Sequence, residues 1–506
     1  MSNKAVLGVG ALAAAIAVAY GGSTWYAGSQ IKSRYDTALD ELPKQTALVR
    51  VTDRQYERGF FGAVSTVTLE IGCAPDATAA ATPAAPTPPA EGEEAEADEE
   101  AEAQADATPP KPLRFTIRDT IHHGPIAGGS LAAATIDSEL VLDAKTQADA
   151  KKLFGDAKPL SARTQVGFGG AFTTDMTVAP AKLTEAGKGQ FAWQGAQMRM
   201  DVNAARTQVR YDLAMPGLDF SDARTGTTLK MGKLTAKADM DSSAGWFLAT
   251  GKTEGKLDTL ELVVKKTGGP LGAAAVPADT PPKLVTTVLL QGLDMLGEAT
   301  IKDGLYASSG TVKGNGTIGA TKIDKFELTS SARRIQAAGY KKLADAWMQS
   351  SAVNGCGKGG SKASQAAMQA LADQLAPDLK AMAKFSPEAG VDKMVVEIDG
   401  KRGEISYMAG MAGVTDEDLQ LPGTALLMKR GALKANARLP MKWLEKLAET
   451  GAESGQTPPP EMVAGLVEQG EEKGFVKREG DDVTAQVEYS DGSLKINGKP
   501  MGAPGR

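Results

Sequence analysis

Histidine is almost missing from this chain: of 506 residues only His122 and His123 carry an imidazole. Histidine-rich metal sites are thereby excluded, and any nucleophilic triad would have to run through this one pair. Adjacent residues on a strand point to opposite faces, so at most one of the two rings could look into a given cleft. Gly124-Pro125 follows as a turn signal, and both histidines are read as structural. Cysteine is as scarce, since Cys73 and Cys356 are too few for a disulfide-dense scaffold or a structural zinc site. Two readings stay open for them, one bridge in an oxidising compartment or two separate thiols. Aromatic residues make up only 5% against 57 glycines, which favours thin layers or a long sheet over one bulky core.

Recognisable chemistry is missing too. There is no G-x-S-x-G elbow, H-E-x-x-H pair or EF-hand loop. Gly251-Lys252-Thr253 falls short of a phosphate-binding loop, because position 246 is Trp where the first glycine belongs and a strand pattern follows from Leu257. No catalytic residue, metal ligand or cofactor is expected from these patterns. Carboxylates are plentiful, but a working acid–base pair needs two of them in one cleft, which spacing alone does not reveal.

What is present begins at the N-terminus. Ala5 to Tyr26 form an uncharged apolar run of 22 residues between Lys4 and Lys32. As a helix it would be about 33 Å long, enough to cross a hydrocarbon core of about 30 Å. Trp25 and Tyr26 close the run as interface anchors. The alternative is a cleaved secretory signal ending at Ala17-Val18-Ala19. The apolar character persists past that point, which favours a retained single-pass anchor, and the four-residue head favours export of the long C-terminal body. Either way the body is expected outside the cytoplasm.

Net charge is −6, yet Ala74 to Pro112 hold ten acidic residues and one lysine, leaving the rest weakly positive. Without a basic field, nucleic acid is not expected as a partner. The Ala/Pro and Glu/Ala composition of that stretch lacks the large apolar side chains needed to offset ordering entropy, so a solvated linker is expected at 74–112.

Strand signals dominate elsewhere. A polar helix over Ser33 to Leu42 leads to a hairpin of Ala47–Tyr56 and Gly62–Ile71, turned at Arg58-Gly59-Phe60-Phe61. After the linker, strand patterns recur at Leu113–Ile121, Ala134–Asp143, Arg163–Val178, Gln190–Val202, Thr207–Met215, Thr228–Met240, Trp246–Thr253 and Lys256–Lys265. The lack of long intervening helical segments predicts an antiparallel meander. Helices are expected at Leu284–Leu296, through Ile335, Gly339, Leu343 and Trp347, and over Ala363–Leu375 with a break or kink at Pro377. Strands return at Asp392–Asp399, Gly431–Leu439, Asp481–Tyr489 and Gly492–Asn497, with short helices at Met441–Glu449 and Glu461–Glu468 between them. The fold class is thus mainly β with additional α-helices, an extended antiparallel meander sheet with helices packed on it and one transmembrane helix before it. Its expected divisions are an anchor at 1–31, a helix and hairpin at 32–73, the linker at 74–112, a β-rich region at 113–330, a helical segment at 331–390 and a second β-rich region at 391–506.

Several short motifs occur in a fixed order: Trp25-Tyr26, Tyr56-Glu57-Arg58-Gly59-Phe60-Phe61, Ile121-His122-His123-Gly124-Pro125, and Gly492-Ser493-Leu494-Lys495-Ile496-Asn497-Gly498-Lys499. In this the chain resembles the YdgA-like proteins of Gram-negative bacteria, over nearly its whole length. The resemblance implies an inner-membrane anchor, a large periplasmic body, self-association and a role in the cell envelope, with no catalytic residue to carry over. The residues themselves read as fold punctuation: Gly59, Gly124 and Gly492 at sharp turns, Pro125 with a fixed φ, and Asn497-Gly498 as a two-residue turn. Together these features favour a non-enzymatic envelope protein, a scaffold or self-associating homodimer. The alternatives are lipid binding or transfer along an apolar sheet groove, by analogy with AsmA-like proteins, and a hydrolase with a carboxylate site.

Overall fold

The computed structural model describes residues 32–40 except 34 and 38, and residues 49–501 except 73–112, 186–188, 224, 267–282, 357–360 and 446–459. The expected anchor with Trp25 and Tyr26, the acidic linker and Cys73 lie outside the described residues. Among the described residues, no helix is long and apolar enough to cross a membrane.

Among the described residues the architecture is mainly β: one 24-stranded sheet, accompanied by a two-stranded ribbon of Ile126–Ala127 and Ser130–Leu131. It is a meander, since Val49–Arg58 pairs with Gly62–Ile71, that strand with Leu113–His123, and that in turn with Ala134–Val141, all antiparallel. The pairing continues across the helical segment, where Thr321–Gln336 lies antiparallel to Glu388–Ile398. The helix Ala144–Phe154, absent from the sequence expectation, joins two strands that still pair antiparallel, so it is no βαβ crossover.

Several elements differ from the expectation. Arg163–Val178 is a hairpin, Leu160–Val166 and Phe172–Val178, turning where Gly170 takes a positive φ of 89°. Gln190–Val202 and Thr228–Met240 are each interrupted, at Gln194-Gly195 and at Gly232-Lys233. The interruptions lie opposite others at Ala179-Pro180 and Pro216-Gly217, so they form one irregular line across the sheet, bridged by Gln194 N–H donating to Gly217 O at 3.0 Å. Proline without an N–H and glycine without a Cβ make such a line tolerable. Trp246–Leu248 is a short 3₁₀ turn before the long strand Thr250–Lys266.

Leu284–Leu296 is not a helix but part of the strand Lys283–Lys302. Its β-branched run Val285-Thr286-Thr287-Val288 favours extended backbone, and pairing to Thr250–Lys266 on one side and, from Val288 onward, to Leu305–Ile318 on the other overrides the ambiguous apolar spacing. Ile335 likewise ends a strand, and the helix begins at Ala337. Pro377 breaks nothing: the helix Ser361–Ala383 continues through it, with Leu375 and Met382 buried on either side. Gly339 is where the two helices meet, because a Cβ there would stand 2.7 Å from Met382 Cγ.

Candidate functional site

The motifs Arg58–Phe61 and His122–Pro125, far apart in sequence, come together at one end of the sheet. Gly59 N–H donates to Gly62 O at 2.8 Å, closing the hairpin corner, and His123 N–H donates to Phe61 O at 2.9 Å. A Cβ on Gly124 would lie 2.0 Å from Ala132 O, so only glycine fits the return of the chain there. The Gly124–Pro125 peptide is cis. His122 is half-exposed, with Nε2 3.9 Å from Asp137 Oδ2. His123 is the reverse: 2% exposed, and neither ring nitrogen has a hydrogen-bond partner. Burial pushes its pKa below the usual imidazole value, Arg58 and His122 push the same way, and the Phe60 carbonyl opposes them without reaching bonding geometry.

Beside this corner lies a core of Ala63, Ile121 and Ala134, packed by Tyr56, Ile136 and Val166. The helical residues between 32 and 40 seat over the sheet next to it. Tyr35 OH donates to Asp119 Oδ2 at 2.5 Å, Lys32 Nζ stands 5.4 Å from the centre of the Tyr56 ring, and Arg54 pairs with Asp40 at 2.7 Å. Burial first, then the Asp119 charge, raise the Tyr35 pKa far above the ordinary phenol value. Sequence reasoning named neither Tyr35 nor Asp119. The available signal was that Tyr35 is the lone aromatic of an otherwise polar helical stretch.

The terminal motif sits apart from the corner. Asn497 and Gly498 both take positive φ, 49° and 78°, the requirement of a type I′ turn. Asn497 also ties down its surroundings: Oδ1 accepts from Gln486 N–H at 2.9 Å and Nδ2 donates to Gly474 O at 2.9 Å. Gly492, φ 72°, turns the preceding hairpin. Nearby, and also unforeseen, Asp418 is 1% exposed and accepts from Thr415 N–H and Oγ1 and from Arg430 Nε, with Lys429 Nζ at 2.7 Å. Lys429 leads these in holding its carboxyl well below the usual carboxylate range. Four donors converging on one carboxylate fasten a loop to the helix Gly423–Arg430, which is a structural task. Cys356 ends the helix Ala337–Cys356. One further string, Gly314 to Gly319, spells G-x-G-x-x-G, but it lies in the strand Leu305–Ile318 and its turn, with no helix following to receive a phosphate.

The two faces of the sheet differ chemically. Met176, Met198, Leu213, Ala236, Gly255 and Met295 stand directly opposite one another in successive strands. The row continues through Val312, Leu328, Met394 and Ile405 to Ala437 and Ala485. At about 4.8 Å per strand it spans roughly 50 Å. The neighbouring positions, on the other face, alternate in charge: Asp175 pairs with Arg199 at 3.1 Å, Asp212 with Lys237 at 3.3 Å and Lys256 with Asp294 at 3.8 Å.

The apolar face is covered at both ends. At the first, the residues around Tyr35 lie over Tyr56, Ser65 and Asp119. At the second, Trp443 abuts Gly403, and Val463 and Val467 of the helix Pro460–Glu472 pack on Val483. Between them, Met176, Met198, Leu213 and Met295 are half-buried, while Leu328 and Tyr407 are 36% and 46% exposed. Among the described residues, helices meet this face only toward one end of the middle strands: Tyr340 of the helix Ala337–Cys356 stacks on Tyr306, on the face of Val312, at 5.7 Å between ring centres, and Met411, on the face of Ile405, packs with Ala383, Val414 and Leu426.

Residues 2–504 match the family described as "Bacterial protein of unknown function (DUF945)". No curated protein and no solved structure matches the chain.

Proposed function

The chain belongs to DUF945, a bacterial family of unknown function, and we propose that this member is a membrane-tethered, non-enzymatic protein of the cell envelope that holds lipid acyl chains along its sheet. The observation that carries this reading is the apolar row from Met176 to Ile405. Its side chains keep part of their surface accessible while the opposite face is charged, and an apolar surface of that length is costly to leave to water. The uncharged run Ala5–Tyr26 and the likeness to YdgA-like proteins support a single-pass anchor with the body on the periplasmic side of the inner membrane.

Self-association through the sheet edge is the less favoured reading. The edge strand Val49–Arg58 carries Arg50, Asp53, Arg54, Glu57 and Arg58 and has a register shift between Val51 and Asp53, both features that oppose edge-to-edge pairing.

A photocrosslinking amino acid placed in living cells at Met198 or Met295 should yield lipid adducts, and one at Arg199, one residue away on the charged face, should not. Absence of adducts from both apolar positions would remove the lipid reading. Protease added to intact spheroplasts should digest the body, and survival of the chain until lysis would overturn the proposed topology.

A further inference from the structure

The strongest exposed apolar feature lies at the corner end of the sheet. Phe60 and Phe61 are 53% and 62% exposed, Ile126 and Leu131 60% and 76%, and Phe168 63%. They occupy three turns that are neighbours in space. The hairpin corner bonds to the next turn through His123 N–H and Phe61 O, and that turn to the third through Ala133 N–H and Val166 O at 2.9 Å. Residues 59–62, 123–134 and 166–172, which make up these turns, contain no Asp, Glu, Lys or Arg. The connection at the opposite end of the same strands, residues 143–158, carries Asp143, Lys145, Asp149, Lys151, Lys152, Asp156 and Lys158. An uncharged set of turns bearing five large exposed apolar side chains is not a solvated surface by design.

The chain's own path says what meets it. Asp40 is held by Arg54, and Lys32 lies over Tyr56, nearer the corner, so the helical residues run toward these turns as they approach the N-terminus. Five residues separate Lys32 from Tyr26, the end of the uncharged apolar run, so that run ends within about 20 Å of Lys32 however the link is arranged.

We propose that these three turns form a docking rim that inserts Phe60, Phe61, Ile126, Leu131 and Phe168 into the headgroup–acyl boundary of the bilayer. The inference rests on the reading of Ala5–Tyr26 as a membrane anchor. Its consequence is orientation: the sheet stands with this end on the membrane, and the apolar face begins at the bilayer surface. Aromatic and aliphatic side chains in uncharged turns suit that boundary.

The test uses the full chain in vesicles of phosphatidylethanolamine and phosphatidylglycerol whose acyl chains carry bromine as a depth quencher. In a chain carrying Cys73→Ala and Cys356→Ala, an environment-sensitive fluorophore is attached singly at Phe61→Cys, Leu131→Cys or Phe168→Cys, with Ile318→Cys at the end of the strand Leu305–Ile318, away from the rim, as a reference and Ala15→Cys reporting the anchor. Quenching with a blue shift at 61, 131 and 168 but not at 318 is expected. Introducing Phe60→Glu with Phe61→Glu should abolish it at 131 and 168 while circular dichroism stays unchanged. Quenching at 15 with none at the three rim positions overturns the rim and leaves the anchor standing. No quenching at 15 overturns the anchor, and the rim then stands or falls on its own three signals.

Discussion

Tyr35 and Asp119, 84 residues apart, share a hydrogen bond of 2.5 Å in which the phenol donates to a buried carboxylate oxygen. This contact fixes the helical residues that follow the apolar N-terminal run to the third strand of the sheet. Tyr35→Phe keeps the ring against Tyr56, 6.2 Å away between centres, but leaves the carboxylate short of a donor. The expected loss is about 2 kcal/mol, read from the urea midpoint, with faster amide exchange at residues 35–40. An unchanged midpoint and unchanged exchange would mean that the helix is held by other contacts.

His123 makes stability depend on pH. Its folded-state pKa is lowered by burial, so the folded protein binds fewer protons than the unfolded chain once pH falls through the ordinary imidazole value. Stability from this group is therefore full above about pH 6.5 and declines as pH drops below it. Thermal unfolding between pH 7 and 5 should show that decline. His123→Gln should flatten it, and an equal slope in the variant would assign the dependence elsewhere. Glu70, whose carboxyl is held low by hydrogen bonds from Arg114 and Arg50, loses its stabilisation only in the acid range below its ordinary value, so the two contributions separate along the pH axis.

Much of the fold is legible in the sequence because a half-buried strand writes its own period. Ala134 to Val141 alternates visibly, and the hairpin Gly62–Ile71 shows its inward face at Ala63, Ser65, Val67 and Leu69. Leu284–Leu296 reads as a helix because Leu289, Leu290, Leu293 and Leu296 fit the helical spacing while falling on both faces of a strand, and only pairing on both sides decides. The candidate surface is harder to foresee. Met198, Leu213 and Ala236 are ordinary in their own strands and become one row only through inter-strand register, which a single sequence does not state. Asp418 is invisible for a similar reason: its partners Thr415, Lys429 and Arg430 look like loop and surface residues until the helix Gly423–Arg430 folds back.

Gly403 and Trp443 define the covered C-terminal end of the apolar face. A Cβ at Gly403 would stand 2.3 Å from the indole ring, too close for any side chain without displacing it. Gly403→Val should expel the indole, seen as a red shift in tryptophan emission, and cost about 1–3 kcal/mol from overpacking. If Trp443 is a lid on the apolar row, the same variant should extend the positions that crosslink lipid toward Ile405. A destabilised protein with unchanged emission would show that the backbone, and not the ring, gives way.

The edge strand Val49–Arg58 offers a final check on how the protein avoids joining to itself. Among the described residues no second strand pairs with its outward edge, and the features that oppose pairing there are charge and the shift between Val51 and Asp53. Asp53 and Glu57 are exposed and stand in the same strand as Tyr56, so Asp53→Val with Glu57→Val creates a longer apolar, β-prone edge without touching the core. Such an edge is a template for a second copy. Sedimentation velocity of the full chain in detergent, corrected for bound detergent, should show association strengthened about tenfold or more, roughly 1.4 kcal/mol. A variant that sediments like the wild type would mean that the edge is already occupied or covered, and the case for self-association through it would have to be reopened.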